Sequence, residues 1–91
     1  MSREEIIRKI RDKGRDLRAA VKRYNDNIQD MWISKDKITS HIREGCYYSA
    51  EKEKAHLSII RDIIRVQAEY IKELKDFIKI LNRKLGQIEK S

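Results

Sequence analysis

The chain has 91 residues, of which 41% are charged, with three glycines and no proline. Such a composition is typical of long helices and unsuited to sheets or tight loops, and a chain this short buries little surface unless it associates. No uncharged stretch approaches the roughly 20 residues that a membrane-spanning helix needs. We therefore expect one small all-α domain that does not span a membrane.

The beginning of the chain and its cysteine usage bear on the compartment. The start has no apolar signal core, and the acids Glu4, Glu5 and Asp12 argue against a transit peptide. The single cysteine, Cys46, cannot form an internal disulfide, which fits a reducing compartment. We expect a cytoplasmic protein. Abundant isoleucine, lysine, arginine and glutamate, with few side-chain amides, is typical of thermophiles.

A seven-residue apolar repeat, typical of coiled coils, runs through both halves of the chain. The repeats in the two halves are out of step by one residue, so the pattern predicts two helices with a break between them. The rows of the first half are Ile7, Gly14, Val21, Ile28, Lys35, Ile42 and Ile10, Leu17, Tyr24, Met31, Ile38. Those of the second half are Leu57, Ile64, Ile71, Ile78, Leu85 and Ile60, Gln67, Leu74, Leu81, Ile88.

Helix-ending residues set the expected boundaries. Ser2 can cap the first helix, with Glu5 placed for a capping box. Gly45 can adopt the left-handed conformation that ends helices, and Ser49 is the expected N-cap of the second helix. Ser34 could also start a helix, but the heptad phase continues past it and favours one continuous first helix. The predicted elements are a helix over about residues 2–44, a turn over about 45–48 and a helix over about 49–88.

Two helices joined by this turn would form an antiparallel hairpin in a coiled-coil arrangement. The register pairs Tyr24 with Gln67, whose hydroxyl and amide can hydrogen-bond and fix the alignment. Gly14 falls opposite Ile78. There it either lets the helices approach closely or weakens the first helix by about 1 kcal/mol relative to alanine.

The second helix carries more apolar surface than a two-helix seam can cover. Six such side chains left in water would forgo about 1.5 to 3 kcal/mol each, so we expect a partner to cover them. A second copy of the chain would give a homodimeric four-helix bundle, and a helix of another protein is the alternative. The predicted interface residues are Ile59, Ile63, Val66, Tyr70, Phe77 and Ile80.

Basic side chains form a row on the other flank of each helix, and the net charge is +7. In the predicted register both rows border one groove, which favours nonspecific binding of nucleic acid or another polyanion through its phosphates. Alternatively, each cation pairs with an acid three residues earlier, as Arg65 can with Asp62, and the helix needs no ligand. The predicted nucleic-acid-binding residues are Arg8, Arg11, Arg15, Arg18, Lys22, Arg61, Arg65, Lys72, Lys75 and Lys79.

The sequence contains no pattern typical of catalysis. His41, Cys46 and His56 lie near the expected turn, but their spacing matches no standard zinc site. Few polar residues fall in the seam, so we predict neither an enzyme nor a bound metal or cofactor. Trp32 could stack on Arg61 or on a nucleic-acid base, or pack between the helices. The alternative function is that of a structural or adaptor protein that docks another helical protein or forms an assembly.

Overall fold

The computed structural model describes residues 1–90, which form the two helices α1 (Arg3–Arg43) and α2 (Tyr47–Lys90). No strand occurs among these residues. The predicted all-α fold with two long helices is therefore confirmed. Helix α1 passes through Ser34 without interruption, so the alternative break at that residue does not occur.

The start of α1 is capped as its sequence predicts. The Ser2 hydroxyl accepts a hydrogen bond from the backbone N–H of Glu5 at 3.2 Å, and the Ser2 carbonyl accepts the N–H of Ile6 at 3.1 Å. The first bond satisfies one of the N–H groups that a helix start leaves without a partner, and the second is the first backbone bond of the helix, which identifies Ser2 as the N-cap. Glu4 and Glu5 lie in the first turn, where their negative charge complements the helix dipole.

Helix α1 ends in a Schellman motif centred on Gly45. The backbone N–H of Cys46 donates to the carbonyl of His41 at 2.8 Å, and that of Gly45 donates to the carbonyl of Ile42 at 3.1 Å. This pair of bonds defines the motif and requires the left-handed conformation at its glycine. Gly45 accordingly has a φ of 78°.

Helix α2 begins earlier than predicted. The carbonyl of Cys46 accepts the N–H of Ala50 at 3.0 Å, so the helix starts at Tyr47 and Ser49 lies within its first turn. The prediction that Ser49 is the N-cap is wrong because the Schellman motif reverses the chain within three residues. The turn is correspondingly shorter than the expected 45–48.

The chain divides into two compact units, which are described separately. Unit 1 comprises Met1–Lys22 together with the stretch from Glu69 onward, and unit 2 comprises Arg23–Ala68. Each unit contains a part of α1 and a part of α2.

In unit 1 the two helical segments run antiparallel. Arg3 forms an ion pair with Glu89 at 3.5 Å, and the Lys13 ammonium lies 5.6 Å from the centre of the Phe77 ring. These are pairs that the predicted register places near one another. The buried core side chains of this unit are Ile6, Ala20, Leu74 and Leu81.

Unit 2 is a hairpin with polar contacts inside its seam. The Asn27 amide donates to Gln67 Oε1 at 3.1 Å, so the partner of Gln67 is Asn27, and the hydrogen bond predicted between Gln67 and Tyr24 does not form. The hydroxyl of Ser34, which is only 2% exposed, donates to Glu53 Oε1 at 2.7 Å. The buried apolar side chains of unit 2 are Ala50, Leu57 and Ile60.

The seam on α1 is turned relative to the prediction. Its buried residues, Ile6, Ala20 and Ser34, belong to a heptad row that lies one position before the predicted Ile7 row. The Ile7 row is only half-buried, and its last member, Ile42, is exposed. On α2 the predicted rows are at least half-buried up to Leu85, whereas Ile88 is exposed. The complete α1 row is Ile6, Lys13, Ala20, Asn27, Ser34 and His41.

Gly14 does not serve a close approach of the helices. A Cβ atom built at Gly14 would meet only the end of the Arg18 side chain, at 3.9 Å, which is an ordinary contact.

We expect Gly14→Ala to raise the free energy of unfolding by about 1 kcal/mol, because alanine is the better helix former. Gly45→Ala should lower it by about 1 to 2 kcal/mol, since a φ of 78° strains any residue with a Cβ. Chemical denaturation followed by circular dichroism tests both, and a destabilised Gly14→Ala variant would contradict this interpretation.

Candidate nucleic-acid interface

Eight of the ten predicted nucleic-acid-binding residues belong to unit 1, and all eight are exposed. Helix α1 positions five of them at alternating three- and four-residue spacing, which keeps them on one side of the helix. Helix α2 contributes the other three. The α1 basic row is Arg8, Arg11, Arg15, Arg18 and Lys22, and the α2 basic residues are Lys72, Lys75 and Lys79.

The positive charge of the protein is concentrated in unit 1. This unit has fourteen lysines and arginines against eight acids, a surplus of six. Unit 2 has eight against seven, a surplus of one, and the two surpluses account for the net charge of +7. A polyanion would therefore be attracted chiefly to unit 1.

The cations of unit 1 named above form no ion pair with any residue among positions 1–90. Of the predicted pairs between an acid and a base three residues later, only Asp62 with Arg65 forms, at 2.9 Å, and it lies in unit 2. The other ion pairs join Arg3 to Glu89, Lys13 to Asp16 and Lys54 to Glu51. Acids of the same helix therefore do not neutralise the basic rows of unit 1, and the alternative interpretation does not hold there.

The α1 basic row lies on the outward face of the helix. Successive residues advance by about 100° around a helix, so Arg8 lies about 160° from the buried Ile6 and Arg11 lies about 140° from it. Had the Ile7 row formed the centre of the seam, the basic row would have bordered the contact with α2. Because the Ile6 row is buried instead, the row projects from unit 1.

The two remaining basic residues of the predicted site, Arg61 and Arg65, are exposed in unit 2. Arg65 is held by Asp62. The cation over the Trp32 ring is the ammonium of Lys35, at 4.6 Å from the centroid, and not Arg61, which the sequence offered as one stacking partner. Unit 2 therefore adds less free positive charge than the sequence predicts.

The predicted interface residues are all exposed large apolar side chains. In unit 2 these are Ile59, Ile63 and Val66, and in unit 1 they are Tyr70, Phe77 and Ile80. Two residues of each set line an open groove. The unit 1 groove, of about 280 Å³, is lined by Lys13, Tyr70, Glu73, Leu74 and Phe77, and the unit 2 groove, of about 270 Å³, is lined by Asp62, Ile63, Val66 and Gln67.

Lys13 is a groove residue that the sequence analysis missed. Its ammonium lies over the Phe77 ring and also approaches Asp16 at 4.0 Å, while its alkyl chain is half-buried. The heptad spacing could have identified Lys13, because it belongs to the same row as Ile6 and Ala20.

The turn of unit 2 carries exposed side chains without a metal-binding arrangement. Cys46 is a free, exposed thiol, and the Lys52 ammonium lies 4.8 Å from the centre of the exposed Tyr48 ring. Among residues 1–90, histidine, cysteine and acidic side chains form no group of three that could hold a metal ion. Neither α1 nor α2 contains a stretch apolar enough to cross a bilayer.

No protein-family model matches the chain, and no curated protein or solved structure matches it significantly.

Proposed function

We propose that the protein binds nucleic acid without sequence specificity through the exposed cations of unit 1. The strongest support is that these cations are numerous, exposed to solvent and not neutralised by ion pairs. All eight predicted cations of this unit are exposed and without ion pairs among residues 1–90, although the unit also contains eight acids. Like charges held together on a folded surface repel one another, and a polyanion relieves that repulsion.

The chemistry of the interaction is charge neutralisation. Each arginine or lysine that contacts a phosphate displaces a condensed counterion, and the release of these ions drives association. Arginine, which supplies four of the five residues of the α1 basic row, can bind a phosphate with two parallel hydrogen bonds. The row offers no pattern for reading base edges, so contacts would be to the backbone.

The salt dependence of binding tests this proposal. For a labelled DNA duplex, the five cations of the α1 row predict a slope of about −4.5 when the logarithm of the binding constant is plotted against that of the salt concentration. Contacts from α2 would steepen it towards about −7. Fluorescence anisotropy over about 0.05 to 0.3 M salt measures the slope. Failure to bind at the lowest salt would contradict the proposal.

We also propose that the exposed apolar side chains of α2 are covered by a second copy of the chain, giving a homodimeric four-helix bundle. Each unit contributes three of these side chains, which are between 39% and 64% exposed, so covering them would contribute about 0.8 to 1.5 kcal/mol each. The competing occupant is a helix of another protein, which would make the chain a structural or adaptor protein. The mass of the protein in solution distinguishes the two.

Dimerisation would leave the basic residues of unit 1 available. On α2, Tyr70 and Lys72 are two positions apart, as are Phe77 and Lys79. Two positions correspond to about 200° around a helix, so the aromatic and basic side chains point to opposite flanks. A partner seated on the aromatic flank would therefore not cover the cations.

A further inference from the structure

We infer that the ligand of unit 1 is a double-stranded nucleic acid rather than a single strand. This inference rests on the proposed function and adds the structural class of the ligand. It is drawn from three features of unit 1: the absence of a stacking surface beside the basic row, the fixed spacing of the cations, and their projection from the outward face of α1.

Proteins that bind single strands place aromatic side chains along the path of the backbone, where each stacked base contributes about 1 to 3 kcal/mol. No aromatic residue occurs between Arg8 and Lys22. The exposed aromatic side chains described in unit 1 are Tyr70 and Phe77, on the flank of α2 opposite Lys72 and Lys79. The Phe77 ring is already faced by the Lys13 ammonium. Bases of a single strand lying on the basic row would have nothing to stack on.

The α1 row is also rigidly spaced. At about 1.5 Å per residue, its cations stand about 4.5 or 6 Å apart and the whole row spans about 21 Å. A duplex of that length presents about twelve phosphates at fixed positions, one charge per 1.7 Å or so of axis. A flexible single strand would have to be ordered along the row and would lose conformational entropy that a duplex does not.

The outward face of α1 suits the outside of a duplex. A projecting helix with cations along one side can lie against a groove and contact the phosphates of its wall, since a helix is about 10 to 12 Å across and the major groove of B-form DNA is about 12 Å wide. Single-strand binders instead use a positively charged groove that encloses the backbone. The unit 1 groove is lined by aromatic and mixed-charge residues and includes none of the eight predicted cations of the unit.

Three fluorescently labelled ligands test the inference on the full-length protein: a DNA duplex of about 24 base pairs and unstructured single strands of about 24 and 48 nucleotides. The longer strand carries about as many phosphates as the duplex, so total charge is matched. With five contacts, the expected salt slopes are about −4.5 for the duplex and −3.5 for the strands. At about 0.1 M salt the duplex should therefore bind about tenfold more tightly than the longer strand.

Each result separates the inference from the proposed function. If the 48-nucleotide strand binds as tightly as the duplex, or more tightly, the duplex inference is wrong and nucleic-acid binding stands. If none of the three ligands binds at about 0.05 M salt, the proposed function itself is wrong. Trp32→Ala provides a check on stacking, because Trp32 is an exposed aromatic of unit 2. Affinity for the 48-nucleotide strand should stay within about twofold of that of the unaltered protein, and a tenfold loss would show that its bases stack there and would overturn the inference.

Discussion

Replacing Arg11, Arg15 and Arg18 together by glutamate should abolish detectable duplex binding at physiological salt. The three residues are consecutive members of the α1 basic row, and all are exposed. Losing three phosphate contacts lowers affinity by about 500-fold at 0.1 M salt through counterion release alone. The three new carboxylates repel the phosphates, so the total loss should exceed about 10³-fold. Fluorescence anisotropy, with a gel shift at low salt, measures it.

The variant should remain folded, since none of the three arginines is buried or in an ion pair with a residue among positions 1–90. Circular dichroism checks that its helix content is unchanged. A matched control reverses three exposed cations of unit 2 that also form no ion pair among residues 1–90, with Lys37, Arg43 and Lys52 changed to glutamate. This control changes the net charge by the same amount and should cost less than about tenfold in affinity. Equal losses in the two variants would show that binding depends on net charge and not on the row.

The fold was largely predictable because α2 and the turn have strong local signals. The apolar rows of α2 repeat without a break from Leu57 to Leu85 apart from Gln67, and seven-residue periodicity of that length permits few alternatives. Gly45 stands where the chain must adopt a positive φ. Ser2 provides a capping hydroxyl at the predicted position. Each of these signals can be recognised from residues that lie within one or two helical turns of one another, since a single heptad is two turns long.

The seam of α1 was not predictable in the same way, because hydrophobicity and packing favour different rows. The Ile7 row is the more apolar, whereas the buried row contains Lys13, Ala20 and Ser34. Small side chains such as those of Ala20 and Ser34 occupy little space between the helices, and the Ser34 hydroxyl is satisfied by Glu53. A buried polar group is tolerated when it has a partner, and the partner is 19 residues away in sequence. Hydrophobic periodicity describes one helix at a time and does not predict a hydrogen bond between two helices.

The candidate site was predictable in its residues but not in its charge balance. Helical spacing alone placed the basic row on one side of α1. It could not show which ion pairs form, since Asp12 with Arg15 and Asp62 with Arg65 have the same spacing and only the second pair is present. Exposed pairs are worth less than about 1 kcal/mol, so side-chain conformation decides whether each forms. The direction in which the basic row faces depends on which α1 row is buried. Because the buried row was predicted incorrectly, the outward orientation of the basic row was not predicted either.

Replacing Tyr70 and Phe77 by serine should convert the protein from dimer to monomer. Both side chains are exposed in unit 1 and line its groove. Tyr70 and Phe77 are 45% and 39% exposed, so covering the exposed part of each is worth about 1 kcal/mol, and a symmetric dimer covers four of them. The double variant should therefore weaken the dimer by about 4 kcal/mol, which is a factor of about 10³ in the dissociation constant. Light scattering coupled to size exclusion, at micromolar concentration, measures the change in mass.

A second pair of exposed aromatic residues supplies the control. Tyr47 and Tyr48, at the start of α2, are 66% and 74% exposed, and neither belongs to the proposed interface. Their replacement by serine removes more exposed aromatic surface than the interface variant does but should leave the mass of a dimer. A monomeric control would show that aromatic content alone drives association. If the unaltered chain is a monomer at micromolar concentration, the homodimer proposal fails. The row of half-exposed side chains on α2 would then favour the adaptor function, because a partner of another kind would still gain about 5 kcal/mol by covering it.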